Sequence, residues 1–201
     1  MDLRDAHNWT ALHHAARNGH APAAAALLAA GAGADAEGGL RGKVRLPERF
    51  RPLHMAAYFG HAGVVEALLA GGADVHALDG SGQAPLFLAT RWAHLAAVQA
   101  LLAGGARPRQ LSVCGLDRHR LSAVELAARL SVMYRFPSML PSREALRHAL
   151  PVDEFPRPEA YQHLHNVLRL STALRVRERK QKKRGREPGV GAAEGRSGAG
   201  Q

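Results

Sequence analysis

The chain has 201 residues, a net charge of +10 and 46% hydrophobic residues, which is enough apolar material for one or two folded domains. Its single cysteine, Cys114, excludes an internal disulfide framework and fits a reducing compartment. The first residues lack the pattern of a secretory signal, and no apolar run is long enough to span a bilayer. We therefore expect a soluble intracellular protein, cytoplasmic, nuclear or both.

The positive charge is concentrated near the C-terminus. Residues 175–186 carry eight lysines and arginines against Glu178 alone, so this segment holds +7 of the total +10. The rest of the chain sums to only +3. The charge pattern therefore indicates a basic tail on a nearly neutral body.

Three segments of ten residues repeat one another: ALHHAARNGH at 11–20, PLHMAAYFGH at 52–61 and PLFLATRWAH at 85–94. The second and third copies are 33 residues apart, whereas the first and second are 41 apart. The extra residues fall within 36–50, a stretch of glycine, proline and charge that indicates a loop insertion. Such a fixed period predicts a repeat architecture.

Each copy predicts a helix, a turn, a second helix and a projecting loop. In the second copy Pro52 suits a first helical turn, Leu53 and Ala56 recur at helical spacing, and Gly60 suits the residue that closes the helix. A second helix follows at 62–70, before a turn rich in glycine and aspartate. One unit cannot bury its apolar stripe alone, so the copies must stack.

These segments resemble the ankyrin repeat, D-x-x-G-x-T-P-L-H-x-A-A-x-x-G-H. The match is specific over 5–106 and fades over 107–150, where DRHRLSAVELAARL at 117–130 resembles a degenerate fourth repeat. The resemblance implies an all-α solenoid of stacked helix-turn-helix units with projecting hairpin-like loops. The first copy matches through Asp5, Thr10, Leu12, His13, Ala15, Ala16, Gly19 and His20.

We expect an ankyrin-repeat domain over 1–150, with repeats at about 5–37, 46–78, 79–111 and 117–150. The second helix of the fourth repeat is predicted at 141–150, where Ser142 suits an N-cap. A linker and a C-terminal helix over 151–180 would cover the last repeat, before a disordered, basic and then Gly-rich tail over 181–201. The first repeat begins without an upstream cap, which is typical of a truncated sequence. The apolar face of the C-terminal helix is predicted from Tyr161, Leu164, Val167, Leu168 and Leu174.

The twelve histidines raise the question of a metal site. Five of them occupy repeat positions, where the resemblance implies hydrogen bonds to the backbone of neighbouring turns: His13, His20, His54, His61 and His94. Glycine-rich stretches at 31–36 and 39–44 lack the strand context and the spacing of phosphate-binding loops. Cys114 has no partner base and is predicted to be a small buried residue. We expect no metal, no cofactor and no catalytic site.

The family resemblance implies a concave surface lined by the variable residues of each repeat. Aromatic and arginine side chains, the types that dominate interface energies, are frequent at these positions. The alternative is that some of them pack under the 36–50 insertion, Phe50 and Phe59 above all. The predicted partner-binding residues are Trp9, Arg17, Asn18, Phe50, Tyr58, Phe59, Gln83, Arg91 and Trp92.

The favoured function is a monomeric, non-enzymatic interaction module for an unidentified protein partner. A first alternative is a ubiquitin-ligase substrate receptor, because YQHLHNVLRLSTALRV at 161–176 stands where an adaptor-docking box would be, although the Leu-x-x-x-Cys core of such boxes is missing. A second alternative is a nucleic-acid-associated protein that acts only through its tail. The tail carries a cluster typical of nuclear-localisation signals, formed by Arg179, Lys180, Lys182, Lys183, Arg184 and Arg186.

Overall fold

The computed structural model describes residues 2–39, 49–113, 120–135 and 158–184 of the chain. Eight helices and one pair of short strands lie within these ranges. The helices are α1 (Ala11–Asn18), α2 (Ala21–Ala29), α3 (Pro52–Phe59), α4 (Ala62–Ala70), α5 (Pro85–Arg91), α6 (Leu95–Ala103), α7 (Ala123–Arg135) and α8 (Pro158–Arg184). The strands are β1 (Leu111–Val113) and β2 (Arg120–Ser122).

The helices form a two-layered stack. Helices α1, α3, α5 and α7 pack side by side in chain order as an inner layer, and α2, α4 and α6 pack side by side as an outer layer. The leading leucines Leu12, Leu53 and Leu86 are buried, together with the small alanines that let neighbouring helices approach. The predicted all-α solenoid of helix-turn-helix units is therefore confirmed.

Buried histidines tie the inner helices α1 and α3 to the loop that follows each of their repeats. The Nδ1 atom of His13 accepts the N–H of Thr10 at 3.2 Å, so its Nε2 carries the proton and donates to the carbonyl of Phe50 at 2.9 Å. His54 repeats this arrangement, accepting from the N–H of Arg51 at 3.3 Å and donating to Ala77 at 3.1 Å. Burial lowers the pKa of both imidazoles, for His54 to about 4.

A second row of histidines ties each outer helix to the preceding repeat. The Nε2 atom of His61 lies 3.0 Å from the carbonyl oxygen of Arg17, and that of His94 lies 3.1 Å from the carbonyl oxygen of Tyr58. These contacts and those of His13 and His54 confirm the predicted backbone-binding role for four of the five histidines at repeat positions. His20, the equivalent residue of the first repeat, is exposed.

The C-terminal helix α8 covers the end of the stack. Helix α8 lies along α7 and buries Tyr161, Leu164 and Leu168. The hydroxyl of Tyr161 donates to the carbonyl of Arg91 at 2.8 Å, which is the position that His61 and His94 bond in the earlier repeats. Helix α8 therefore takes the place of an outer helix of the fourth repeat.

Two predictions about the C-terminal region are corrected by the structure, and three others concern residues outside the described ranges. Leu174 is 58% exposed rather than buried, so it does not belong to the packed face of α8. Helix α8 continues to Arg184, so the predicted disorder from 181 is wrong for its first four residues. The helix predicted at 141–150, Cys114 and the rest of the tail after residue 184 lie outside the described residues.

Two hairpin-like features project from the stack. Gly38 and Phe50 exchange backbone hydrogen bonds of 2.9 Å and so close the base of the loop insertion, whose residues 40–48 lie outside the described part. Further along, β1 and β2 pair antiparallel with Ser112 opposite Leu121. The Oγ atom of Ser112 accepts the N–H of Ala84 at 3.1 Å, so this hairpin packs on the turn of the third repeat.

Candidate partner-binding surface

Two rows of variable residues cross the ends of the inner helices. Because α1, α3 and α5 stack side by side and carry the same repeat pattern, equivalent residues of three repeats fall next to each other. One row is Arg17, Tyr58 and Arg91, and the other is Asn18, Phe59 and Trp92. All six are exposed or half-buried.

The centre of this surface is an aromatic cluster that joins two repeats. The rings of Tyr58 and Trp92 are 5.1 Å apart at 69°, and those of Tyr58 and Phe59 are 5.0 Å apart at 75°. These are edge-to-face contacts, the arrangement that aromatic pairs favour. The guanidinium of Arg91 lies over the Trp92 ring at 5.7 Å from its centroid. The cluster thus presents partly exposed, mutually supported rings with a cation at its edge.

Three of the nine predicted surface residues are buried, which corrects the sequence-based prediction. Trp9 is 5% exposed, and a Cβ atom on Gly38 would lie 2.9 Å from its ring, because the base of the insertion packs over it. Phe50 is fully buried because its backbone pairs with Gly38 and its ring packs against His54 and Tyr58.

Gln83 is the third predicted surface residue that is buried. Its side-chain amide donates to the carbonyl of Val113 at 3.1 Å, so the β1–β2 hairpin covers it. The alternative that some aromatics pack under the insertion holds for Phe50, whereas Phe59 is 36% exposed. Trp9 and Phe50 support the surface from below; the ring of Phe50 lies 6.4 Å from that of Tyr58, and Arg17 lies over Trp9.

An ion-pair cluster fixes the loops beside this surface, and no sequence motif marks it. Arg51 pairs with Asp35 and with Glu37, in both cases at 3.4 Å. Arg49 pairs with Glu37 at 3.1 Å, and hydrogen bonding to Arg49 is the main reason why the pKa of Glu37 lies below its usual range. The carboxylate of Asp35 also accepts the N–H of Asp74 in the next loop at 3.1 Å. These contacts link the loops of the first two repeats.

The leading aspartates of the repeat motif have opposite electrostatic environments. Asp5 is exposed, and hydrogen bonds, first from the N–H of Trp9, lower its pKa to about 2. Asp79 accepts the same kind of bonds from the N–H groups of Ser81 and Gln83 at 2.8 Å, but burial raises its pKa to about 6. The β1–β2 hairpin packs on the turn that follows Asp79, where the N–H of Val113 donates to the carbonyl of Gly82 at 3.1 Å.

A stack of paired helices held together by equivalent hydrogen bonds defines a helical-repeat solenoid, the class of protein to which this chain belongs. A family model described as ankyrin repeats (3 copies) matches residues 41–112, and one described as ankyrin repeat matches residues 7–36. The chain belongs to the ankyrin-repeat family. A comparison with curated proteins found no match.

The described residues give no support to other classes of site. In those ranges no group of three or more His, Cys, Asp or Glu side chains is arranged to hold a metal ion. No described helix is both long and apolar enough to cross a membrane. The stretch 161–176, weighed above as an adaptor-docking box, forms part of α8 and buries Tyr161, Leu164 and Leu168 against the repeat stack. Those three side chains are occupied by packing within the chain.

Proposed function

We propose that this chain is a non-enzymatic binding module that holds a protein partner on the two rows of residues across α1, α3 and α5. Ankyrin repeats are generally protein–protein interaction modules, and the family match makes this the default role. The observation that carries the specific surface is the cluster of Tyr58, Phe59 and Trp92, because its rings contact each other and each remains at least partly exposed.

The composition of this surface suits a protein partner. Tyrosine, tryptophan and arginine are enriched among residues that contribute most to binding, and preorganised rings lose little entropy on association. Arg17 and Arg91 flank the aromatic centre along the first row. A partner segment with an apolar or aromatic anchor and a neighbouring carboxylate would complement this arrangement.

The test is a quantitative capture experiment with matched variants. Tyr58→Ala with Trp92→Ala removes the ring pair, and Glu66→Ala with Gln99→Ala removes two exposed side chains from the outer helices as a control. We expect the first variant, but not the control, to lose a defined set of proteins from lysate at least tenfold. Each loss is then checked with the purified partner and calorimetry.

Folding must be checked in parallel, because Tyr58 is half-buried and contacts the Phe50 ring. Removing Tyr58 alone is expected to cost about 1–2 kcal/mol of stability, since part of an aromatic side chain leaves the core edge. Far-UV circular dichroism should still show the helices of the native chain. If the folded double variant captures the same proteins as the native chain, this surface is not the binding site.

A further inference from the structure

A groove lined by arginines lies on another part of the molecule, between α8 and the turn that follows α6. Two adjoining cavities of about 470 and 480 Å³ open there, and both are bordered by Arg109, Thr172 and Val176. Arg107 lines one of them, and Arg169 and Arg177 line the other. No carboxylate lines either cavity among the described residues.

The groove exists because α8 is clamped to the end of α6. Arg175 donates to the carbonyl of Gly105 at 3.0 Å and to that of Leu102 at 3.1 Å. Backbone carbonyls at the C-terminus of a helix are its partly negative end, so a guanidinium group is stabilised there. This clamp sets the basic part of α8 beside the turn that carries Arg107 and Arg109. Arginines of the repeat stack and arginines of α8 therefore line the same groove.

Four arginines of the groove have their charges available to a ligand. Arg107, Arg109, Arg169 and Arg177 are all exposed, and in the part of the chain that the structure describes none of them forms a salt bridge with a carboxylate. Glu125 interacts electrostatically with Arg109. Its carboxylate is held by the N–H of Ser122 at 2.8 Å and by the Ser122 hydroxyl at 2.7 Å. The charge of Arg109 contributes only a minor part of the lowering of its pKa.

We propose that this groove binds the phosphate backbone of single-stranded nucleic acid. The planar guanidinium group recognises phosphate oxygens in a bidentate way, and the two walls of the groove offer such groups from both sides. The backbone of α8 continues to Arg184, and the sequence over 179–184 is rich in lysine and arginine. A narrow polyanion can enter between two walls, whereas a flat bilayer would contact only the rim.

This site is distinct from the proposed protein-binding surface, and the proposal does not depend on it. It also differs from the expectation that nucleic acid would contact only the C-terminal tail, since Arg107 and Arg109 belong to the repeat stack. Groove binding and tail binding can therefore be separated by substitution. A base-specific contact is not required, because phosphate contacts alone give affinity that falls steeply with salt.

The experiment measures binding of the full chain to a fluorescein-labelled single-stranded RNA by fluorescence anisotropy, from low to moderate salt. The RNA has about 20 nucleotides, which exceeds the site size of typical single-strand binders. One double variant is Arg107→Gln with Arg109→Gln, and a second is Arg169→Gln with Arg177→Gln. The control, Arg4→Gln with Arg120→Gln, removes the same charge from exposed residues that line neither cavity. A tail variant replaces Lys182, Lys183 and Arg186 with Gln. Vesicles of phosphatidylcholine and phosphatidylserine test the membrane alternative.

Each groove variant should bind the RNA about tenfold more weakly than the control, with a salt slope smaller by about 1.4, since two phosphate contacts are lost at about 0.7 each for single strands. The proposal is overturned if both groove variants match the control while the tail variant loses binding. It is also overturned if the native chain binds the anionic vesicles but not the RNA. Circular dichroism of each variant confirms that the loss is not due to unfolding.

Discussion

The close packing of each outer-helix histidine on the preceding repeat predicts a large effect of one methyl group at Gly60. This residue has φ +79°, and a Cβ atom there would lie 2.5 Å from Nδ1 of His94. The left-handed conformation costs an L-residue about 1–2 kcal/mol. Displacing His94 would also remove its bond to the carbonyl of Tyr58, worth about 1 kcal/mol. After an offset of about 0.4–1 kcal/mol for the stiffer unfolded chain, Gly60→Ala should destabilise the protein by about 2 kcal/mol.

Two other positions separate the strain from the contact. Gly72 has φ +86° with no atom within 4 Å of where a Cβ would stand, so Gly72→Ala should cost only the backbone strain, about 0.5–1 kcal/mol net. Ala93 stands at the position of Gly60 in the third repeat, with φ 57°, and it is tolerated because Tyr161 rather than an imidazole bonds the carbonyl there. Ala93→Gly should stabilise the chain by about 0.5 kcal/mol.

Urea unfolding followed by circular dichroism measures these differences. With an m-value of about 2 kcal/mol per molar urea, Gly60→Ala should lower the midpoint by about 1 M and Gly72→Ala by about half as much or less. Because repeat stacks can unfold in parts, the transition is also followed by tryptophan fluorescence. If Gly60→Ala and Gly72→Ala shift the midpoint equally, the packing of His94 on Gly60 contributes nothing to stability and this prediction is wrong.

Two further predictions concern acid sensitivity and the end of the stack. Burial holds the folded-state pKa of His54 at about 4, below the unfolded value of 6.5, so the free energy of unfolding falls as the pH drops from 6.5 towards 4. Asp79 acts in the opposite direction. Because its folded-state pKa is raised to about 6, Asp79 binds a proton on folding below pH 6 and offsets part of this loss. Asp79→Asn should therefore lose about 1 kcal/mol more stability than the native chain between about pH 7 and pH 5 in urea titrations, and equal losses would contradict the assignment. Tyr161→Phe removes the hydroxyl that donates to the carbonyl of Arg91, so it should lower the free energy of unfolding by about 1 kcal/mol. Amide hydrogen exchange should speed up more in α8 than in α1. Unchanged exchange in α8 would show that this bond does not hold the helix.

The repeat body was predictable because its signals are local. The spacing of leucines, alanines and glycines within one repeat fixes the helices, and the period fixes the stack. The roles of His13 and His54 were implied by the family resemblance, and they agree with the rule that a buried imidazole needs a hydrogen-bond partner. Of the candidate surface, Tyr58, Phe59 and Trp92 remain at least partly exposed, as their positions in the repeat predicted.

The burial of Trp9, Phe50 and Gln83 depends on segments that do not belong to the repeat. The base of the 36–50 insertion covers the first two, and the β1–β2 hairpin covers the third. No periodic sequence pattern predicts such packing, because it arises where an inserted segment packs back against the repeat stack. The only signal available was the unusual spacing of the repeats, which marks where the extra residues are but not which side chains they touch.

The position of α8 determines how the charge of this protein is arranged in space, which the sequence does not reveal. Counting residues places most of the basicity after residue 174, far along the chain from the repeats. Yet the bonds that seat α8, from Tyr161 to Arg91 and from Arg175 to Leu102 and Gly105, satisfy carbonyls at the ends of α5 and α6. Satisfying them lays the basic helix against Arg107 and Arg109. The requirement to complete the last repeat is thus also what assembles the arginine groove, so a stack that ended in an ordinary fourth repeat would not have it.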